Sequence, residues 1–225
     1  MAELVLRSNK RESFRKRKDS FRRPLEVLEF AGLASGELVL DVGSGFGYWA
    51  EIASSITGKV VDCQNATEWR SFFLHIDFDK QVKRLLKQRT KFNFFWSSFN
   101  EPANGAENKY DLAISYTNYH DLFDMDVNRQ EFLTSIKNSL KKDNGRFLLI
   151  DHRAEVGSGS RDAGSNRGLH RIDEILVREE IKLAGFEIER ESSILSKESD
   201  DLGTQAWTSP MHDTDRFCLL LKPLA

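Results

Sequence analysis

Seven residues constrain this chain more than any other stretch: Asp41-Val-Gly43-Ser-Gly45-Phe-Gly47. They follow the apolar run Glu37 to Val42, which reads as a buried strand, and precede Tyr48 to Ile56, whose spacing predicts a helix stopped by Gly58. A glycine-rich turn between strand and helix lets backbone approach a ligand closely, and the helix N-terminus favours an anionic group. The register excludes two common readings. A dinucleotide fingerprint needs its third glycine one residue later, where Tyr48 stands. The Gly-Lys-Ser/Thr ending of a phosphate-binding nucleotide loop is absent.

The rest of the chain alternates between strand and helix signals. Pro24 to Ala31 reads as a short helix closed by Gly32. Strands are predicted at Lys59 to Cys63, Phe92 to Trp96, Tyr110 to Ser115 and Arg146 to Asp151. Helices are predicted over Thr67 to Gln88, Val127 to Leu140 and Ile172 to Ala184, the last closed by Gly185. Alternation of this kind predicts an α/β fold with a mainly parallel sheet covered on both faces. Two final strands, Phe186 to Glu191 and Arg216 to Lys222, have no convincing helix between them, which predicts an antiparallel edge. Glu155 to Gly168 is rich in Gly and Ser and reads as a loop or lid; Ser196 to Asp215 reads as a long polar connection. There is no internal repeat and no domain-sized linker.

Charge divides the chain in two. Residues 1–23 hold nine basic and three acidic residues, a net +6, and the whole chain carries −2, which leaves −8 for residues 24–225. The expected organisation is a basic arm, 1–23, on one domain, 24–225. No apolar run approaches the roughly 20 residues that span a bilayer. Cys63 and Cys218 both lie in strand-like runs without metal spacing, so buried, reduced thiols and a cytoplasmic, reducing compartment are expected.

With Asp41 two residues before the first glycine, the loop reads D-x-G-x-G-x-G. This resembles motif I of the class I S-adenosylmethionine (SAM) methyltransferases, and the order of elements extends the resemblance over residues 24–222. It implies a Rossmann-like, seven-stranded sheet of order 3-2-1-4-5-7-6, last strand antiparallel, and SAM as cofactor. Five further segments narrow the likeness: Phe21-Arg-Arg-Pro-Leu-Glu-Val-Leu28, Asn118-Tyr-His-Asp-Leu122, Asp151-His-Arg-Ala154, Leu169-His-Arg-Ile-Asp173 and Asp215-Arg-Phe217. Together they resemble a bacterial group described as predicted methyltransferases, a likeness that supplies no substrate.

The resemblance implies that Asp41, Gly43, Gly45 and Gly47 wrap the methionine end of SAM. It also implies an acid after the second strand for the ribose. The register lands instead on Gln64, with Asn65 beside it and Asp62 as the alternative for a shorter strand. The adenine contact would fall near Ser98 to Asn100. Ligands of open α/β sheets bind at the carboxyl ends of the strands. Three of the five histidines fall there: His120 with Asn118 and Asp121, His152 with Arg153, and His170 with Arg171.

Methyl transfer needs an oriented, desolvated acceptor, and a base where the acceptor arrives protonated. His120 is the expected base or orienting group, with His152 as alternate. Asn118, Asp121, Arg153, His170 and Arg171 are the expected substrate contacts, the arginines as forks for an anionic group. Each has a structural duty to weigh against this: Asp121 as a helix cap, His152 and Arg153 as ties for the lid. No local metal spacing is present, and no metal is assigned.

Arg11, Arg15, Lys18 and Arg22 recur along one helical stripe. The favoured reading docks the arm over the acidic cofactor face, with a small, anionic metabolite as methyl acceptor. The alternatives are an RNA- or DNA-directed methyltransferase using the arm, or a non-catalytic SAM- or RNA-binding module.

Overall fold

The structure is a computed structural model. It describes residues 2–7, 13–71, 78, 80, 82, 91–164, 168–208 and 213–224. Three short helices form the arm: α1 (Ala2–Arg7), α2 (Ser13–Lys16) and α3 (Asp19–Arg22). The domain opens with α4 (Pro24–Phe30), which Pro24 starts at its first position. It continues through β1 (Val39–Val42), α5 (Tyr48–Thr57), β2 (Val61–Ala66), β3 (Phe92–Ser97) and β4 (Leu112–Tyr116). Then follow α6 (Arg129–Ser139), β5 (Arg146–His152), α7 (Glu174–Leu183), β6 (Phe186–Glu191) and β7 (Arg216–Pro223).

The seven strands lie in the order β3-β2-β1-β4-β5-β7-β6. All pairings are parallel except those of β7, which runs antiparallel to both β5 and β6. The expected topology is therefore present, closing antiparallel edge included. The order reverses at β1/β4, so their carboxyl ends form the crevice where such sheets bind ligands.

Each sheet face has its own core. Leu40, Phe147, Leu149, Phe217 and Leu219 pack with Phe132, Leu133 and Ile136 of α6 and Val177 and Ile181 of α7. Val39, Ile114, Ile150 and Leu220 pack on the other side with Val27 and Leu28 of α4 and Trp49 and Ile52 of α5. A fully buried side chain of this size contributes about 1.5–3 kcal/mol. Cys63 and Cys218 sit in this second core, buried and free, and burial pushes the Cys218 thiol up to about 12.

Four local expectations shift. β2 runs on to Ala66, so Gln64 and Asn65 lie inside the strand rather than beyond it. The helix expected over Thr67 to Gln88 begins as a 3-10 turn, Thr67–Trp69; of its remainder, residues 72–77, 79, 81 and 83–88 lie outside the described residues. A second 3-10 turn, His120–Phe123, follows β4 where no element was expected. Asp121 lies within that turn and does not cap a long helix. The cap of α6 is Asn128, whose side chain accepts from the Gln130 and Glu131 amides.

Candidate active site

The glycine loop is held from three sides. Asp41, at the end of β1, accepts from the Ser44 hydroxyl at 2.7 Å and the Ala50 amide at 3.2 Å, tying the loop to α5. Gln64 Oε1 accepts from the Gly43 amide at 2.9 Å, while its Nε2 donates to the Ser97 carbonyl at 3.1 Å. Asn118 donates from Nδ2 to the Val42 carbonyl at 2.8 Å and accepts a short bond from the Ser115 hydroxyl. Gly43 has φ +61, and a Cβ there would meet Asn118 Nδ2 at 2.2 Å. Gly45 shares the left-handed backbone, at φ +56, but its Cβ direction faces nothing within 4 Å.

The candidates for the ribose now separate. Asp62 accepts from Asn93 at 2.8 Å, Lys109 at 2.7 Å and Tyr110 at 2.8 Å. Burial alone would raise its pKa; these donors outweigh that and hold it below the ordinary carboxylate value. Gln64 is fully buried and occupied at both ends. Asn65 donates to the Gly45 carbonyl at 3.2 Å, and its Oδ1 is buried with no hydrogen-bond partner. That unmet acceptor, on a residue bonded to the glycine loop, fits a ribose hydroxyl. The turn after β3 is fixed by Glu68, which accepts from the Ser98 hydroxyl at 2.6 Å and the Phe99 amide at 3.2 Å. Glu68 was not singled out in the sequence, because it fell inside the helix expected over Thr67 to Gln88.

The arm docks on this loop. Arg15 is 2% exposed and donates to the Gly47 carbonyl at 3.2 Å, to Glu51 at 3.1 Å and, by a short bond, to the Phe46 carbonyl. Tyr48 donates to Asp19 at 2.7 Å. The Arg22 guanidinium stacks 4.5 Å from both the Tyr48 and Tyr116 ring centres. Arg216 donates to the Phe21 carbonyl at 2.7 Å and to the Tyr116 hydroxyl. Lys18 has its pKa lowered to about 8 by burial and by Arg22 and Arg15 nearby. Arg11 lies outside the described residues.

Burial raises the Asp41 pKa to about 6; Ser44, the Ala50 amide, Arg22 and Arg15 pull the other way. An unfolded aspartate titrates near 3.9, so the folded state binds this proton more tightly, by about 3 kcal/mol. That contribution is present at low pH and is lost as pH rises from about 4 to about 6, with no further change above. Asp41→Asn, which never ionises, should therefore gain on the native protein by up to about 3 kcal/mol between pH 4 and pH 7. Urea unfolding at the two pH values measures it, and parallel pH dependences for the two proteins would refute it.

Beyond β4 the histidines converge. His120 is fully buried; its Nδ1 and backbone amide both engage Asp151, at 2.6 and 2.9 Å. Its Nε2 lies 3.2 Å from Asp121 Oδ1 and 3.3 Å from His170 Nδ1. Burial would lower its pKa, but the Asp151 and Asp121 carboxylates more than offset that and push it up to about 10. His152 packs 5.7 Å from the His120 ring centre and pairs Nδ1 with the Thr214 hydroxyl at 2.5 Å. His170, at φ +53, accepts from the Trp207 indole at 2.8 Å.

The two arginines are engaged by protein carboxylates and carbonyls. Arg153 bonds Glu174 at 2.9 Å and Asp215 at 2.8 Å. Arg171 is fully buried and spends four bonds on Asp200, the Thr204 carbonyl and the Arg153 carbonyl. Both stitch the long connection before β7 to the rim. The Gly/Ser segment is anchored too. Gly157 and Gly159 donate to Asp173 at 2.8 and 3.1 Å, and Gly164 donates to the His120 carbonyl at 3.1 Å. Trp207 and Thr214 were missed, since both sit in a polar stretch with no periodicity; a lone Trp there was the available signal.

Sheet order, switch point and glycine loop define the fold of the class I SAM-dependent methyltransferases, and solved structures agree. A SAM-dependent methyltransferase from Aquifex aeolicus superposes with a TM-score of 0.63 at 18% identity, covering 91% of each chain. An S-adenosylmethionine-dependent methyltransferase from Clostridium acetobutylicum gives 0.61 at 11% identity, covering 93% of this chain and 92% of its own. The [4+2]-cyclase SpnF gives 0.62 at 15% identity, covering 92% of this chain and 82% of its own. No protein-family model matches the chain, and no curated protein matches it in sequence. Among the described residues, no helix is long and apolar enough to cross a membrane.

Proposed function

We propose that the chain is a SAM-dependent methyltransferase acting on a small molecule held at the rim beside His120, Asp121, His152 and His170. One observation carries this reading: the buried, unpartnered acceptor of Asn65, a residue bonded to the Gly45 carbonyl, on a D-x-G-x-G-x-G loop at the switch point. Asp41 and the loop would hold the methionine end, Asn65 the ribose, and the Ser98 to Asn100 turn the adenine. SAM supplies the electrophilic methyl group; the protein orients the acceptor and excludes water.

The arm belongs to the site in this reading. Arg15 and Arg22 are turned inward, onto the loop and onto tyrosine rings, while Arg7, Arg17 and Arg23 stay exposed; the inward pair favours a cap. A rim walled by this cap and the anchored Gly/Ser segment suits a small acceptor. Charge recognition of that acceptor does not rest on Arg153 and Arg171, whose charges are already paired with Glu174, Asp215 and Asp200. His120, buried and held as imidazolium, serves as a positioning group; His152 takes the role of proton acceptor.

Calorimetry with SAM on the intact chain should show one binding site. Arg15→Ala should weaken it by about tenfold, roughly 1.4 kcal/mol. A screen of small-molecule extracts with methyl-labelled SAM then reads turnover, which is needed because one structural neighbour with this fold is a cyclase. His152→Ala should keep SAM binding and lose transfer. No SAM binding at millimolar concentration would end the proposal, and undiminished transfer by His152→Ala would end that residue's role.

A further inference from the structure

Three ligand atoms at the rim form a nearly equilateral triangle. His120 Nε2 lies 3.2 Å from Asp121 Oδ1, His170 Nδ1 lies 3.4 Å from the same oxygen, and the two nitrogens are 3.3 Å apart. All three residues are buried. In a tetrahedral site with metal–ligand bonds of about 2.0–2.1 Å, ligand atoms stand about 3.3–3.4 Å from one another. The triangle matches one face of such a tetrahedron.

The contacts around the triangle show what a metal ion would displace. Trp207 donates its indole N–H to His170 Nδ1 at 2.8 Å, so Nδ1 is unprotonated. Asp121 Oδ1 is a carboxylate oxygen facing that nitrogen. His120 Nε2 stands 3.2 and 3.3 Å from these two acceptors, so a cation, proton or metal, is what the three atoms can share. The remaining nitrogen of His120, Nδ1, is fixed by Asp151 Oδ1 at 2.6 Å. A carboxylate behind a histidine in this way sets the tautomer and aims the other nitrogen at a metal.

We propose that His120, Asp121 and His170 bind a divalent transition metal of the zinc class through Nε2, Oδ1 and Nδ1. Two imidazoles and one carboxylate suit zinc, cobalt or iron better than magnesium or calcium. On binding, the metal replaces the proton on His120 Nε2, which leaves to solvent, and Trp207 gives up its bond to His170. The side chains of Asp121 and His170 stay 11% and 10% exposed, so a fourth position is reachable. A water fills it. Resting on the methyl-transfer reading, an anionic oxygen of the acceptor would take the water's place, which supplies the charge recognition that Arg153 and Arg171 do not.

Cobalt tests the site directly. The full chain, freed of metal by chelation, should take up one Co2+ with the intense visible absorption of a four-coordinate centre, displaced by Zn2+, and with a change in tryptophan emission. His170→Ala should lose the band. Trp207→Phe should keep the band and lose the emission change, and His152→Ala should keep both. Where His170→Ala fails to fold by circular dichroism, Asp121→Asn serves, with the same loss expected. No band in the native chain, or a band that survives both ligand substitutions, overturns the proposal. SAM calorimetry on the same protein separates the two readings: SAM binding without a cobalt band sinks the metal site alone.

Discussion

A methyl group placed on Gly43 is expected to cost the protein its cofactor. At φ +61 an alanine sits in the left-handed region, and its Cβ would lie 2.2 Å from Asn118 Nδ2 and 3.2 Å from Trp69. The backbone alone contributes a penalty of about 1–2 kcal/mol. Asn118 must then withdraw, which breaks its bond to the Val42 carbonyl and leaves a buried acceptor unmet, a further loss of about 1–3 kcal/mol. Both effects distort the loop at the point where SAM would lie. Gly43→Ala should bind SAM at least about 100-fold more weakly, a loss of roughly 2.7 kcal/mol. Gly45→Ala shares the backbone strain without the clash and is the stability control. Calorimetry with unfolding curves measures both, and an affinity for Gly43→Ala within threefold of native would contradict the expectation.

Loss of the Asp151 carboxylate should be the most destabilising single change at the rim. Its oxygens accept from His120 Nδ1 at 2.6 Å, from the His120 amide at 2.9 Å and from the His152 amide at 2.7 Å, all buried. Asp151→Ala strands two backbone donors and one side of an imidazolium. Removing one partner of a buried charged pair typically costs about 3–5 kcal/mol. That is a large share of the 5–15 kcal/mol that holds an average domain together, roughly speaking. Urea unfolding at neutral pH is the measurement. A change below about 1 kcal/mol would mean that water replaces the carboxylate, and the account of the rim as a closed hydrogen-bonded unit would fall.

Much of the fold was legible because local signals agreed with one another. The apolar runs ending in glycine, the Pro24 helix start and the Gly185 helix stop each reported on nearby backbone, and the structure places elements there. The site was less legible, for two reasons. A strand's end is set by its neighbours: β2 pairs with β3 as far as Ala66, which puts the ribose candidates Gln64 and Asn65 within the strand rather than beyond it. A polar side chain's partner is set by tertiary contacts that sequence spacing does not encode. Arg153 and Arg171 looked like anion forks until Asp215, Glu174 and Asp200 were found against them. The five segments that carried the family likeness turn out to touch. Arg216 reaches Phe21, Asp151 reaches His120, Arg153 reaches Asp215, Arg171 reaches the Arg153 carbonyl, and His170 reaches His120. They are one network seen as separate words.

The bond from Arg216 to the Phe21 carbonyl joins residues 195 apart in sequence. During synthesis at about 5–20 residues per second, Phe21 leaves the ribosome roughly 10–40 s before its partner exists. Until β7 arrives, the arm has the glycine loop, α5 and Tyr116 to rest on, and the rim has neither Thr214 nor Arg216. The arm is therefore fastened only once β7 has been made and slots between β5 and β6. A stalled or truncated chain would carry the glycine loop without the anchor that fastens its cover.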